Sequence, residues 1–293
     1  MLKSYYFLAR RSFHAFLVNP KYFFKRVFLA LKEFILPFPD HSVFKRINGV
    51  MFEFDFSFSD KIKQMYCGSY QPSVAEPLRK YLKKGDTFID AGANIGYFSA
   101  VGAGLVGKEG QVHSFEPVPE YFQRLKKLAD INEEYKITVN QLALGEEEKI
   151  EKIYIGGPLH MGNNSFFPSL LEGVDGVKDA EVRICRLDKY IEEKNLDNIK
   201  LIKIDVEGYE LFLFQGLKNY FIECRQKKSF PLIICEICPK AYSSLGYELK
   251  DILNYMKGFA YYPFDIFNNK KKIDIKDIEK SQVMDVLFIH QFD

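Results

Sequence analysis

A doubly wound α/β fold with a mainly parallel sheet is predicted by three features of this sequence. From Thr87 onward, strand-like apolar runs alternate with helix-length amphipathic segments. The first run, TFID, leads directly into the glycine-rich turn GANIG and then a helix, and the second, QVHSF, ends in an acid at Glu116. A chain of 293 residues, 47% of them hydrophobic, has enough apolar material for a sizeable core.

Residues 1–40 read as a helical arm ahead of this fold. Lys3, Arg10, Arg11, Lys21, Lys25, Arg26 and Lys32 face a single acid, Glu33, among many Phe, Tyr and Leu residues. Asn19-Pro20 suits a helix start, and Pro37 and Pro39 suit a stop, so two short helices are predicted. No uncharged run approaches the roughly 20 residues that a bilayer span needs, and the two arginines interrupt any signal-peptide core. Two roles stay open: packing on the main domain, or peripheral contact with a membrane or partner.

From residue 41 the chain reads as one domain. VMFEFDFSF from Val50 alternates as a half-buried strand, and Ser73 to Lys84 forms a helix closed by Gly85. TFID (Thr87 to Asp90) is followed by a helix to about Leu105, and QVHSF (Gln111 to Phe115) by a helix from about Glu120 to Asn132. ITV (Ile137 to Val139) closes this half. After an insertion, LIKID (Leu201 to Asp205) precedes a helix to about Leu217, and PLIICEI (Pro231 to Ile237) precedes one from about Tyr247 to Lys257. YYPFDIF and MDVLFIH are the last strands, with Lys270 to Lys280 as a solvated connector. The insertion, about 146–188, holds a charged turn, the strand IEKIYI, the loop GGPLHMGNNSFF from Gly156 and a returning strand RICRLD. It reads as hairpin-like, with a loop that either overhangs the sheet edge or is merely exposed.

Composition excludes little else. A net charge of +2 gives no global reason to expect nucleic acid. Five irregularly spaced cysteines point to a reducing, cytoplasmic setting, peripheral at the membrane if the arm binds there. Cys235 and Cys238 read as core, and no His/Cys/acid spacing suggests a metal.

Two glycine phrases compete for the ligand loop. GAGLVG, from Gly102 to Gly107, matches G-x-G-x-x-G and would serve an NAD-dependent oxidoreductase. It falls at the far end of its helix, however, where glycine allows close packing or caps a terminus. GANIG sits where strand gives way to helix, the position of unpaired N–H groups and the positive dipole end. Asp90 beside Gly92 suits a head group bearing an ammonium and a carboxylate, and Glu116 suits a ribose diol. S-adenosyl-L-methionine presents these groups together with an adenine. In the plainer alternative both acids merely stabilise turns and helix starts.

The phrases FIDAGANIGYFS, HSFEPVPEYFQRLKKL, QLALG, LIKIDVEGYELFLFQGL and LIICEI resemble the FkbM-type methyltransferases from about Tyr70 to Ile237, with a looser similarity through DVLFIH. KIDVEGYE is the most specific of them. The resemblance implies a seven-stranded class I, Rossmann-like methyltransferase sheet and S-adenosylmethionine as donor. It also implies O-methylation of sugar, glycan or polyketide-like hydroxyls. By position it carries cofactor contact onto Asp90, Gly92, Asn94, Gly96, Glu116, Ala143 and Asp205. One departure is Gln71, where family members often have an acid.

For catalysis, Asp205 ends the fourth strand with Glu207 and Glu210 at the following helix start, and Lys203 shares the strand face of Asp205. Asp205, Glu207 and, in the insertion loop, His160 are the candidate bases, and Glu236 is a candidate acceptor contact. In the plainer reading the acids complement a helix dipole. The expected function is O-methylation of a sugar, glycan or glycolipid precursor. An NAD oxidoreductase and a non-catalytic domain that binds a membrane or partner remain the alternatives.

Overall fold

The computed structural model describes residues 28, 37–156, 164–242, 245–281 and 283–291. Nearly all of the arm, and His160, lie outside the described residues. Contacts group the chain into two units, 1–44 with 53–72, and 45–52 with 73–293.

Ser42–Ile47 (β1) and Val50–Asp55 (β2) form a two-stranded sheet. Asn48 and Gly49 join them at positive φ, as a two-residue hairpin turn requires. Only the second of these strands was predicted. In the first unit, Phe54 and Phe56 pack on Tyr66 of Lys61–Cys67 (α1), with ring centroids 5.2 and 5.4 Å apart.

After Pro72–Tyr81 (α2), the second unit begins the alternation that the sequence predicts. Thr87–Ala91 (β3), Tyr97–Val106 (α3), Gln111–Phe115 (β4), Pro119–Asp130 (α4) and Lys136–Asn140 (β5) form its first half. Ile199–Ile204 (β10), Leu232–Ile237 (β11), Tyr261–Asp265 (β12) and Met284–His290 (β13) complete a seven-stranded sheet in the order β12-β13-β11-β10-β3-β4-β5. Neighbours from β11 through β5 run parallel, and β13 lies antiparallel between β11 and β12. All five residues of β3 are buried, as befits a strand covered on both faces.

Strand order reverses between β3 and β10. The chain leaves β3 toward β5, returns beside β3 as β10, and then proceeds the other way. Register pairs Lys203 with Asp90 and Ile204 with Ala91, so two strands end side by side at the reversal. That crevice is where ligands bind in such sheets.

The insertion builds a second sheet. Ala143–Leu144 (β6), Lys149–Ile155 (β7), Asn164–Ser165 (β8) and Lys178–Cys185 (β9) lie in the order β6-β9-β7-β8, with β7 and β9 antiparallel over seven residue pairs. The returning strand stops at Cys185, and Leu187–Glu193 (α5) follows as a helix the sequence reading did not predict. Buried Asp188 explains the change: it takes two hydrogen bonds from Arg186 and accepts from the Asn219 N–H. It thereby ties α5 to the start of Lys218–Lys227 (α7), a second unpredicted helix, which follows Glu210–Gln215 (α6). Pro239–Tyr242 (α8) and Leu249–Gly258 (α9) come after β11. The connector at 270–280 is only partly solvated. Ile275–Glu279 (α10) forms within it, capped by Asp274, with Ile278 fully buried.

The glycine phrases separate as position predicts. GAGLVG ends α3. A Cβ on Gly102 would lie 2.4 Å from the Phe88 ring, and one on Gly104 would lie 2.4 Å from Asn48 Cβ. These glycines are there for packing, so the pattern match marks no nucleotide loop.

Candidate active site

The crevice begins with Asp90, fully buried at the end of β3. Its Oδ2 accepts from Ser99 Oγ at 2.7 Å, and Ser99 Oγ accepts from Ser114 Oγ at 2.8 Å. Its Oδ1 receives no aligned hydrogen bond from the described residues. The electrostatic partner of that oxygen is the Lys203 ammonium, 3.2 Å away. Burial opposes the lysine charge, but Asp90 and Asp205 outweigh it and hold Lys203 above the ordinary lysine range.

The GANIG turn is braced from within. The Gly92 and Ala93 N–H groups donate to the Phe115 carbonyl, and the Asn94 N–H donates to Glu116 Oε2 at 2.8 Å. The Ile95 N–H donates to Asn94 Oδ1, and the Gly96 N–H to the Ala93 carbonyl. This differs from the open anion cradle expected of the loop, because the turn uses these groups to hold its own shape. Gly92 adopts φ +75°, and a Cβ there would lie 1.8 Å from the Asp205 carbonyl oxygen. Only glycine lets the loop approach β10 this closely. Asn94 and Gly96 are also left-handed, and Gly96 is the N-cap of α3.

Glu116 is buried. Its Oε1 accepts from the Val118 N–H at 2.9 Å, opposite its bond to Asn94. Burial pushes its carboxyl up to about 7, against the pull of those two donors. Each oxygen keeps a second lone pair for a ribose hydroxyl. Ala143 lies buried in β6, paired with Ile184.

The other wall is acidic. One carboxylate oxygen from each of Asp205, Glu207 and Glu236 lies within 4.8 Å of the other two, and all three residues are half-buried. Glu236 is driven well above the usual carboxyl range, first by the Asp205 charge and then by burial, Glu207 and Asp285. Asp285 faces it across the antiparallel β11–β13 pair. Such crowding demands a proton or a cation. Although spacing pointed to no metal, these are the residues that could hold a divalent ion. Glu207 sits at φ +50°, and its carbonyl accepts from Ser165 Oγ of β8 at 3.1 Å, which brings the insertion to the acid loop. Beside it, Tyr209 packs on Phe166 and Phe212, with centroids 4.5 and 4.6 Å apart.

The structure thus gathers Asp90, Gly92, Asn94, Glu116 and Asp205 around the strand ends, with Glu207 and Glu236 beyond. Sequence reasoning set Lys203 on the strand face of Asp205 without giving it a role, and did not single out Ser99. A lysine between two apolar strand residues, and a serine within an apolar helix stretch, were the signals available. His113, which the sequence left unassigned, is a core residue. Burial holds it down at about 4, and its Nδ1 lies 2.8 Å from the Tyr190 hydroxyl.

Residues 90–263 match the Methyltransferase FkbM domain. The chain belongs to the FkbM methyltransferase family. Its domain is therefore of the class I, S-adenosylmethionine-dependent type, with the Rossmann-like sheet described above. Of the acids at the strand ends, Glu116 keeps lone pairs that a ribose diol of such a donor could use, whereas both oxygens of Asp90 already face Ser99 and Lys203. Among relatives, the FkbM chain is 35% identical over 124 residues to a protein-L-isoaspartate O-methyltransferase of Methanococcus aeolicus, covering 40% of this chain and 56% of that protein. It is 27% identical over 152 residues to Methyltransferase 1 of Beauveria bassiana, covering 46% and 59%. The chain thus spans little more than half the length of these curated relatives. Among solved structures, an FkbM methyltransferase from Methylobacillus flagellatus aligns with a TM-score of 0.42 at 17% identity, covering 78% of this chain and 54% of that one. Aeropyrum pernix fibrillarin with natively bound S-adenosylmethionine aligns at 0.39 and 11%, covering 85% and 82%. No helix among the described residues is long and apolar enough to cross a membrane.

Proposed function

We propose that this protein methylates a hydroxyl of a sugar, glycan or glycolipid precursor. The observation that carries this reading is the crowd of Asp205, Glu207 and Glu236 beside the donor crevice. An acid cluster this dense repels an anionic acceptor such as an isoaspartyl carboxylate, but it suits a neutral polyol that donates hydrogen bonds. The half-buried ring of Phe166 beside them supports a sugar face in the same way.

The donor, when bound, supplies a methyl group on a sulfonium. The residues of the chain orient the acceptor and take its proton. Glu236 is the acid that carries a proton, while Asp205 and Glu207 are placed to receive one from the attacking hydroxyl. Such a donor would pass its methyl group from sulfur to the hydroxyl oxygen and leave as a neutral thioether. Asp90 and Glu116 contribute placement, which matters greatly in an in-line displacement. The basic aromatic arm would bring the enzyme to an anionic membrane, where glycolipid acceptors reside.

Transfer from radiolabelled S-adenosylmethionine into sugar nucleotides, oligosaccharides, glycolipid precursors and an isoaspartyl peptide tests the proposal. Labelled ether products from the first three are expected. Methyl ester formation on the peptide alone would overturn the hydroxyl reading.

A further inference from the structure

Lys203 has no role in the proton transfer described above, yet it is 2% exposed in the middle of an apolar strand, between two fully buried isoleucines. An ammonium in such a place needs strong local compensation. Its Nζ lies 3.2 Å from Asp90 Oδ1, donates to the Gly92 carbonyl at 3.0 Å, and lies 3.5 Å from Asp205 Oδ2. Those three contacts match the three donors of an ammonium. They also belong to three different parts of the site: the end of β3, the donor loop and the acid that begins the acceptor wall. The Phe98 ring, with its centroid 5.7 Å from Nζ, closes another side.

We propose that Lys203 is a positioning residue that clamps the donor loop to the fourth-strand acid, and so sets the spacing between donor and acceptor subsites. Gly92 can turn left-handed on its own, but nothing in glycine fixes where its carbonyl points. The ammonium fixes it. The same charge pulls Asp205 toward β3, where the Gly92 backbone already touches the Asp205 carbonyl. A neutral residue at 203 would leave Asp90 unbalanced and would also free the loop from the acid. The clamp is separable from charge balance at Asp90, because two of its three arms do not involve that residue.

This inference rests on the reading of the crevice as a donor site, and its test is binding of S-adenosylhomocysteine, which needs no acceptor. Calorimetry would compare the full-length chain with Lys203→Met, Asp90→Asn, and Asp90→Asn/Lys203→Met. Each variant is first checked by its melting curve. In the Asp90→Asn background the lysine has no carboxylate at 90 to balance, so its ion pair with Asp90 no longer explains a loss. The clamp predicts that Lys203→Met still lowers affinity at least fivefold there, while the double variant melts cooperatively. Equal affinity of Asp90→Asn and the double variant would overturn the clamp and leave Lys203 as a counter-ion. Should Lys203→Met alone fail to fold, the comparison of Asp90→Asn with the double variant still decides. A wild-type chain that does not bind S-adenosylhomocysteine at all would instead defeat the donor-site reading.

Discussion

The acids at the two ends of the crevice are treated in opposite ways. At the donor end, Asp90 and Glu116 are buried and each of their oxygens already faces a partner: Ser99 and Lys203 for one, two backbone N–H groups for the other. At the acceptor end, Asp205, Glu207 and Glu236 are half-buried and face one another. Balanced charge in a dry site holds a shape, because every alternative arrangement leaves something unpaired. Unbalanced charge is poised to take or release a proton. Under the proposed function, the difference puts binding at one end and chemistry at the other.

The largest effect should come from breaking the acceptor end. Asp205→Asn, Glu207→Gln and Glu236→Gln each replace a crowded carboxylate by an amide of nearly the same size, so the fold should persist. Turnover should fall roughly 10²–10⁴-fold in the variant that removes the working base, while S-adenosylhomocysteine affinity changes little in Glu207→Gln and Glu236→Gln. A loss confined to affinity, with turnover intact at saturating donor, would move that acid to the binding end. Unchanged turnover in all three would leave His160 as the base to test.

Breaking the donor end should give the converse pattern. Glu116→Ala removes the proposed ribose contact and also strips the Asn94 and Val118 N–H groups of their acceptor. Donor affinity should weaken by about 1–3 kcal/mol, with turnover at saturation much less affected. Isothermal titration against S-adenosylhomocysteine gives the number. Equal affinity in the variant would return Glu116 to a purely structural role at the turn.

The two glycine phrases sharpen the comparison further. Gly102→Ala drives a methyl group into the Phe88 ring, and overpacking of this kind costs about 1–3 kcal/mol of stability. Thermal melting should show that loss, donor affinity should hold in the folded protein, and NAD should not bind to either form. Saturable NAD binding lost in the variant would revive the oxidoreductase reading.

Much of this was legible in the sequence for a physical reason. Period and punctuation are local, so β3, α3, β4, α4 and β10 could be located, and GANIG could be preferred to GAGLVG from its place between strand and helix alone. Asp90, Gly92, Glu116 and Asp205 followed because strand ends face the crevice in such a sheet. What stayed hidden depends on partners distant in the chain. Lys203 meets Asp90 only because β10 returns beside β3. Glu236 is crowded only because Asp205 ends the adjacent strand and Asp285 lies on the next. The helices α5 and α7 are short, and Asp188 links them by a contact that spans 31 residues. No local period encodes such meetings.

The smallest expected effect concerns pH and Glu116. Burial raises its carboxyl from the ordinary 4.5 to about 7 in the donor-free protein. Ribose hydroxyls donating to it favour the charged form, so the bound carboxyl titrates lower than the free one. Binding below pH 7 must therefore release a proton, and donor affinity should fall as pH drops through that region, by at most about tenfold per pH unit. Above about 7 the affinity should level off. Folding stability carries the opposite sign: a raised folded-state value favours the folded chain below about 4.5, and that contribution is lost as pH rises through about 7. Glu210, also raised to about 7 by burial, contributes in the same direction to stability, so a melting curve does not isolate Glu116. Donor affinity does, since Glu210 accepts from the Gly208 N–H on the acceptor side. Titrations with S-adenosylhomocysteine between pH 5.5 and 8 should show the slope in the wild-type chain and its flattening in Glu116→Gln, whose amide has no proton to lose. A slope that survives in Glu116→Gln would assign the proton to another group and remove the ribose role from Glu116.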